Sequence, residues 1–168
     1  WRLPVEVDYS SEFRYRDLPL DEHALVIAIS QSGETLDTLM AVREARRRGA
    51  TVLTIGNVVG STISRESDGV LYTHAGPEIG VAASKTFTAQ LVALELLALY
   101  GGRRLGHLDA AATREHLEEL VRLPLQVEAA LRREEELARL AQLYADRRDF
   151  LFLGRGINYP IALEGALK

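Results

Sequence analysis

The sequence predicts an α/β domain with a parallel sheet, followed by a helical region and the beginning of a second α/β unit. Two observations predict this class. Short apolar runs rich in β-branched residues alternate with amphipathic segments over the first hundred residues, which is typical of strands and helices in a parallel sheet. A further apolar run, followed by the turn Gly154-Arg155-Gly156, then repeats the pattern near the C-terminus.

The first elements lead to one clear strand. Alternation in Val5–Asp8 predicts a short strand, and residues 10–15 predict a capped helical turn. The unbroken apolar run Leu25–Ile29 predicts a strand buried on both faces. Apolar residues at helical spacing then predict an amphipathic helix over Leu36–Arg48, with Gly49 as its C-terminal glycine.

Two further strands and a long helix complete the first unit. Thr51–Ile55 and Gly69–Thr73 are predicted strands, with a short helix over residues 61–66 between them. A mostly apolar stretch predicts a long helix over Val81–Tyr100, which Gly101-Gly102 should end.

The remainder is predicted to be helical up to a second α/β unit. A break is expected at Pro124, a buried strand over Phe150–Leu153 and a helix over Pro160–Lys168. The predicted divisions are 1–105 for the first unit, 106–147 for a helical linker and 148–168 for the start of the second unit. Because the last helix carries no stop signal, we expect a fragment of a longer protein.

Composition excludes several function classes. The absence of cysteine excludes disulfides, cysteine nucleophiles and thiolate metal sites within the chain. The four histidines are far apart, without metal-ligand spacing, so no metal and no cofactor are expected. A net charge of −4 disfavours nucleic-acid binding. No apolar run reaches transmembrane length, so we expect a cytoplasmic protein with no membrane partner.

The turn after the first predicted strand is the best candidate binding site. It places a glutamine, a glycine and three hydroxyl side chains before a helix: Ser30, Gln31, Ser32, Gly33 and Thr35. Free N–H groups and the helix dipole make such a position attractive to a phosphate. Without the Gly-Lys-Ser/Thr of a nucleotide P-loop, the turn favours a phosphomonoester over a triphosphate. The alternative is that Ser30 or Ser32 merely caps the helix.

A second cluster of small and hydroxyl residues precedes the long predicted helix, over residues 78–88. Small side chains there would let a ligand reach backbone N–H groups, and Lys85 adds a cation. Tight packing of Gly80, Ala82 and Ala83 against the sheet explains the same pattern equally well.

Together these runs closely resemble the sugar isomerase (SIS) domain of the glutamine–fructose-6-phosphate aminotransferase family. The resemblance covers nearly the whole chain in the family's order. Its matching segments are Ser11–Arg16, Ser30–Thr35, Arg65–Asp68, Glu78–Gln90, Phe152–Gly156 and Tyr159–Lys168.

The resemblance implies a flavodoxin-like three-layer fold and a specific reaction. The parent enzyme would make glucosamine 6-phosphate from fructose 6-phosphate and glutamine. Ser30, Gln31, Ser32 and Thr35 would hold the phosphate, and Val81, Ala82 and Ala83 would line the sugar. Lys168 would polarise the carbonyl or position the open-chain sugar during proton transfer between C1 and C2, tuned by Glu164. Without the resemblance, an ordinary i,i+4 salt bridge explains that pair better.

The resemblance also implies partners. A glutaminase domain of the same parent chain and a homodimer are expected, and the fragment alone should be inactive in amide transfer. Ala83 stands where relatives commonly have serine, so one polar contact of the family is in question. Two alternatives stay open: a glutamine-independent SIS isomerase or amino-sugar-phosphate deaminase, and a sugar-phosphate-sensing module of a regulator.

Overall fold

The computed structural model describes residues 1–168, which divide into two compact units, Trp1–Ala110 and Ala111–Lys168. The elements of the first unit are α1 (Ser10–Phe13), β1 (Leu25–Ser30), α2 (Leu36–Arg47), β2 (Thr51–Gly56), α3 (Thr62–Glu66), β3 (Gly69–Tyr72) and α4 (Lys85–Arg104). Three helices follow: α5 (Ala110–Leu131), α6 (Glu134–Leu143) and α7 (Asn158–Leu167).

The sheet is parallel and has the order β1-β2-β3. Ser30 at the end of β1 pairs with Gly56 of β2, which pairs in turn with Tyr72 of β3. The carboxyl ends of all three strands therefore meet at one edge, where open α/β sheets bind their ligands.

Helices pack on both faces of the middle strand β2. The prediction that β1 is buried on both faces was wrong, because β1 lies at the edge of the sheet and its Leu25 and Ile29 are each 44% exposed. Val52 of β2 is buried in a cluster with residues of α2 and α3, whose members are Ala28, Leu39, Val42, Ala45, Ala50, Val52 and Ile63. Ile55 is also fully buried. It points to the opposite face because strand side chains alternate, and α4 also contacts β2. The predicted α/β fold with a parallel sheet is confirmed.

Several element predictions in the first unit were wrong. Val5–Asp8 forms no strand, because no neighbouring strand pairs with it. The long helix begins at Lys85, four residues after Val81, and continues to Arg104. Gly101 lies inside this helix and does not end it. A Cβ at this position would overlap the Trp1 ring, so the glycine allows Trp1 to pack closely against α4.

Two predictions in the second unit were also wrong. Helix α5 runs through Pro124 without a break, since the good helix formers around it offset one missing hydrogen bond. Residues 150–153 are exposed and form no strand, because a strand needs a hydrogen-bonded neighbour and this unit offers none. The predicted division at 105 and 147 stays a prediction. No helix combines the length and apolar character needed to cross a membrane.

Candidate functional site

The turn after β1 is shaped by its own hydroxyl groups. The buried Ser30 accepts a hydrogen bond at Oγ from the N–H of Gly33, at 3.0 Å. Ser32 accepts at Oγ from the N–H of Glu34, at 3.2 Å. Because both oxygens serve as acceptors here, both hydroxyl protons remain available to donate to a ligand.

The N-terminus of α3 anchors this turn. Glu34 accepts a hydrogen bond at Oε1 from the N–H of Thr62, at 2.8 Å, and this bond lowers the pKa of the Glu34 carboxyl. The carbonyl of Gly33 accepts the N–H of Ile63, at 2.9 Å. The amides at the start of α3 are thus used within the protein and are closed to a ligand.

The N-terminus of α2, in contrast, is open. Thr35 is the N-cap residue in an extended conformation, and its side chain makes no capping hydrogen bond. The N–H of Leu39 bonds to the carbonyl of Thr35, at 2.9 Å, so the amides before Leu39 have no intrahelical acceptor. Neither Ser30 nor Ser32 caps the helix, and the capping alternative does not describe this turn.

Asn57, directly after β2, joins the turn to the loop that follows β3. Its backbone N–H donates to the carbonyl of Gln31, at 3.3 Å. Its side-chain Nδ2 donates to the carbonyl of Gly76, at 2.7 Å. Its Oδ1 accepts from Thr73 Oγ1 and from the N–H of Ala75, each at 2.9 Å. The backbone and the half-buried side chain of Asn57 together connect the carboxyl ends of all three strands.

The loop before α4 is closed by Glu78. Its Oε2 accepts from the N–H of Thr86 at 3.0 Å, from Thr86 Oγ1 at 2.6 Å and from the N–H of Ser84 at 3.2 Å. The hydrogen bonds from Thr86 are the main cause that lowers the pKa of Glu78 to about 2. The three predicted sugar-lining residues lie between these contacts: Val81 and Ala82 are exposed, and Ala83 is half-buried.

The predicted catalytic pair lies at the end of α7 in the second unit, with Glu164 in the helix and Lys168 as its C-cap residue. Lys168 Nζ is 2.8 Å from Glu164 Oε1, and the Lys168 side chain is 36% exposed. Nearby, the ring of Phe152 packs where a side chain at Gly165 would lie. The i,i+4 spacing alone accounts for this ion pair.

Residues 2–100 match the family model described as the SIS domain. The chain belongs to the SIS domain family. The predicted resemblance is confirmed over 99% of the chain, which is 50% identical to the glutamine–fructose-6-phosphate aminotransferase [isomerizing] of Clostridium tetani. The chain is also 53% identical to the enzyme of the same name from Thermus thermophilus, again over 99% of the chain.

The chain spans about 28% of the length of these two curated relatives. A solved structure of the C-terminal domain of glucosamine-fructose-6-phosphate aminotransferase from Francisella tularensis gives a TM-score of 0.95 at 40% identity. The match covers 99% of this chain and 47% of that one.

Within the SIS domain, sequence reasoning located the turn and missed what holds it. It did not predict the contacts that Glu34, Asn57 and Glu78 make. Asn57 offered a weak signal, since an amide directly after a buried strand is placed at the ligand-binding edge of a parallel sheet. Glu34 contacts Thr62, 28 positions away, and Glu78 contacts Thr86, 8 positions away. No local sequence pattern predicts contacts over these separations.

Proposed function

We propose that this SIS domain binds a hexose 6-phosphate as part of an enzyme that makes glucosamine 6-phosphate from fructose 6-phosphate and glutamine. The observation that carries the proposal is the uncapped N-terminus of α2, next to hydroxyl groups whose protons are free to donate. Backbone amides, hydroxyls and the helix dipole suit a phosphate dianion. The names of the relatives aligned over 99% of the chain support the choice of reaction.

The proposed phosphate ligands are Ser30, Gln31, Ser32 and Thr35, with Gly33 giving close access to the backbone. Val81, Ala82 and Ala83 are proposed to line the sugar. Lys168 is proposed to polarise the carbonyl or to position the open-chain sugar during proton transfer between C1 and C2. Glu164 would tune Lys168 through their 2.8 Å contact.

The rest of the parent enzyme belongs to the same proposal. Amide transfer from glutamine needs a nucleophile to release ammonia, and this chain has no cysteine. We therefore propose a glutaminase domain in the same parent protein, and a homodimer as its assembly. A cytoplasmic location stays a prediction from the sequence.

The phosphate assignment is tested by the double substitution Ser32→Ala and Thr35→Ala in the full-length protein. We expect the affinity for fructose 6-phosphate to fall by roughly 10- to 100-fold, because two hydroxyl donors to a charged ligand are lost. Isothermal titration calorimetry measures this change.

The matched control is the double substitution Ser11→Ala and Thr51→Ala. It removes the same two groups from exposed positions, and Thr51 lies at the opposite end of the sheet from the turn. We expect this control to bind like the wild type. Equal affinity in the test and control variants would refute the phosphate site.

A further inference from the structure

Asn57 lies at the centre of the carboxyl edge of the sheet and belongs to neither of the predicted ligand sets. β2 is the middle strand, so the residue that follows it has the turn after β1 on one side and the loop after β3 on the other. Its backbone contacts the first and its side chain contacts the second. This division of contacts is the basis of the inference.

The phosphate turn does not depend on the Asn57 side chain. Its conformation is fixed by the contact of Ser30 with Gly33 and by two bonds to the start of α3, from Thr62 and Ile63. Only the backbone N–H of Asn57 reaches the turn, at 3.3 Å, and every residue except proline supplies that group.

The loop after β3 depends on this side chain much more strongly. Asn57 makes three hydrogen bonds to residues 73–76, at 2.7 to 2.9 Å. Both its donor and its acceptor are used. At its other end the loop is held by Glu78. The predicted sugar-lining residues Val81, Ala82 and Ala83 come shortly after Glu78 in the chain. The position at which Asn57 holds Gly76 therefore determines where the sugar-lining segment begins.

We infer that Asn57 is a positioning residue that aligns the sugar-lining loop with the phosphate turn. It thereby sets the affinity for the sugar part of the ligand and leaves the affinity for phosphate itself unchanged. This inference rests on the proposed function, because it takes the turn to hold a phosphate and the loop to contact the attached sugar.

The test substitution is Asn57→Asp in the full-length protein. The aspartate keeps the size and the acceptor oxygen but replaces the Nδ2 donor by an oxygen facing the carbonyl of Gly76. The added negative charge repels both phosphate ligands alike. We therefore expect the dissociation constant for fructose 6-phosphate to rise about tenfold more than that for inorganic phosphate, as for the loss of one hydrogen bond in the sugar-lining loop with repulsion in its place. Calorimetry with both ligands gives the ratio.

Two further variants keep the test decisive. Thr73→Val removes one bond to Asn57 Oδ1 without changing Asn57, and should move the ratio in the same direction by a smaller factor. It decides the question if Asn57→Asp fails to fold. Gln142→Glu makes the same amide-to-carboxylate change at an exposed position of α6 and should leave both affinities unchanged.

The outcomes separate the inference from the function on which it rests. Equal weakening of both ligands, or no change in either, would overturn the positioning role while leaving the phosphate site intact. The Ser32→Ala and Thr35→Ala variant should weaken both ligands together and calibrates that result. Absence of binding to either ligand in the wild type would overturn both the proposed function and the inference.

Discussion

Gly33 is the residue at which the candidate site is most constrained. Its φ of +66° lies in the left-handed region, which costs other residues about 1–2 kcal/mol. In addition, a Cβ on Gly33 would overlap the side chain of Ser61, the residue before α3. The turn and the start of α3 can approach each other because this position has no side chain.

Gly33→Ala should therefore destabilise the first unit and disturb ligand binding. We expect a loss of about 1–2 kcal/mol in the free energy of unfolding from the backbone conformation and about 1–3 kcal/mol more from the overlap. Urea unfolding followed by the fluorescence of Trp1, the single tryptophan, measures this loss, since Trp1 packs on α4 in the same unit.

Gly60→Ala provides the matched control for that measurement. Gly60 has nearly the same φ, +72°, but a Cβ there would meet nothing within 4 Å. Its substitution should show the backbone cost alone. If both variants lose the same stability, the overlap with Ser61 makes no contribution and the turn is less tightly packed than the structure indicates.

At the scale of elements, the Glu78 carboxylate determines where α4 begins, although Glu78 lies eight residues before Thr86. Glu78 satisfies the N–H groups of Ser84 and Thr86, and Thr86 is fully buried. The segment between them, with the predicted sugar-lining residues, is consequently held as a loop and is not drawn into the helix. This contact explains why α4 begins at Lys85 although the apolar pattern begins at Val81.

Glu78 should make the stability of the first unit dependent on pH. Its pKa of about 2 in the folded state lies below the ordinary 4.5. The charged form is thus favoured by folding, and its contribution is complete above pH 4.5 and is lost as the pH falls towards 2. In Glu78→Gln the free energy of unfolding should be lower at neutral pH and should fall less steeply across that range.

Urea unfolding at several pH values, followed by Trp1 fluorescence, tests this dependence. The control Glu135→Gln removes an exposed carboxylate of α6 in the second unit and should retain the wild-type pH profile. A Glu78→Gln profile parallel to that of the wild type would show that the hydrogen bonds at α4 do not stabilise the charged carboxylate.

Local sequence patterns predicted the elements that consecutive residues determine. The strands β1 and β2 were clear because each is a short run of apolar and β-branched residues, although Leu25 and Ile29 of β1 are exposed. Helix α2 was clear because its apolar spacing and its terminal glycine agree. Predictions failed where a distant residue decides the outcome. Gly101 lies inside α4, where its missing side chain leaves room for the Trp1 ring, and residues 150–153 lack the neighbour that would make them a strand.

At the scale of the whole molecule, the sequence predicted a candidate binding turn after β1 because strand, hydroxyl cluster and helix start are consecutive in the chain. It could not show how the turn is held, because its supports come from the start of α3 and from the backbone N–H of Asn57. Physical proximity of these segments follows from the order of the strands in the sheet. The same limit applies to Glu164 and Lys168, whose i,i+4 spacing fits both a structural ion pair and a catalytic pair.

Kinetics of the full-length enzyme distinguish these two roles. Lys168→Met should reduce kcat for glucosamine 6-phosphate formation by about 10²- to 10⁴-fold, the usual contribution of a group that assists proton transfer. The Kd for fructose 6-phosphate should stay within about threefold, because the proposed phosphate ligands are unchanged. The control Arg132→Met breaks another i,i+4 ion pair, at 2.7 Å, between Arg132 just after α5 and Glu128 of α5, and should leave kcat unchanged. Glu164→Gln should lower kcat by a smaller factor, since the Lys168 side chain itself remains. A Lys168→Met enzyme with wild-type kcat would reduce the pair to a helix-stabilising contact and would require another source of the proton-transfer chemistry.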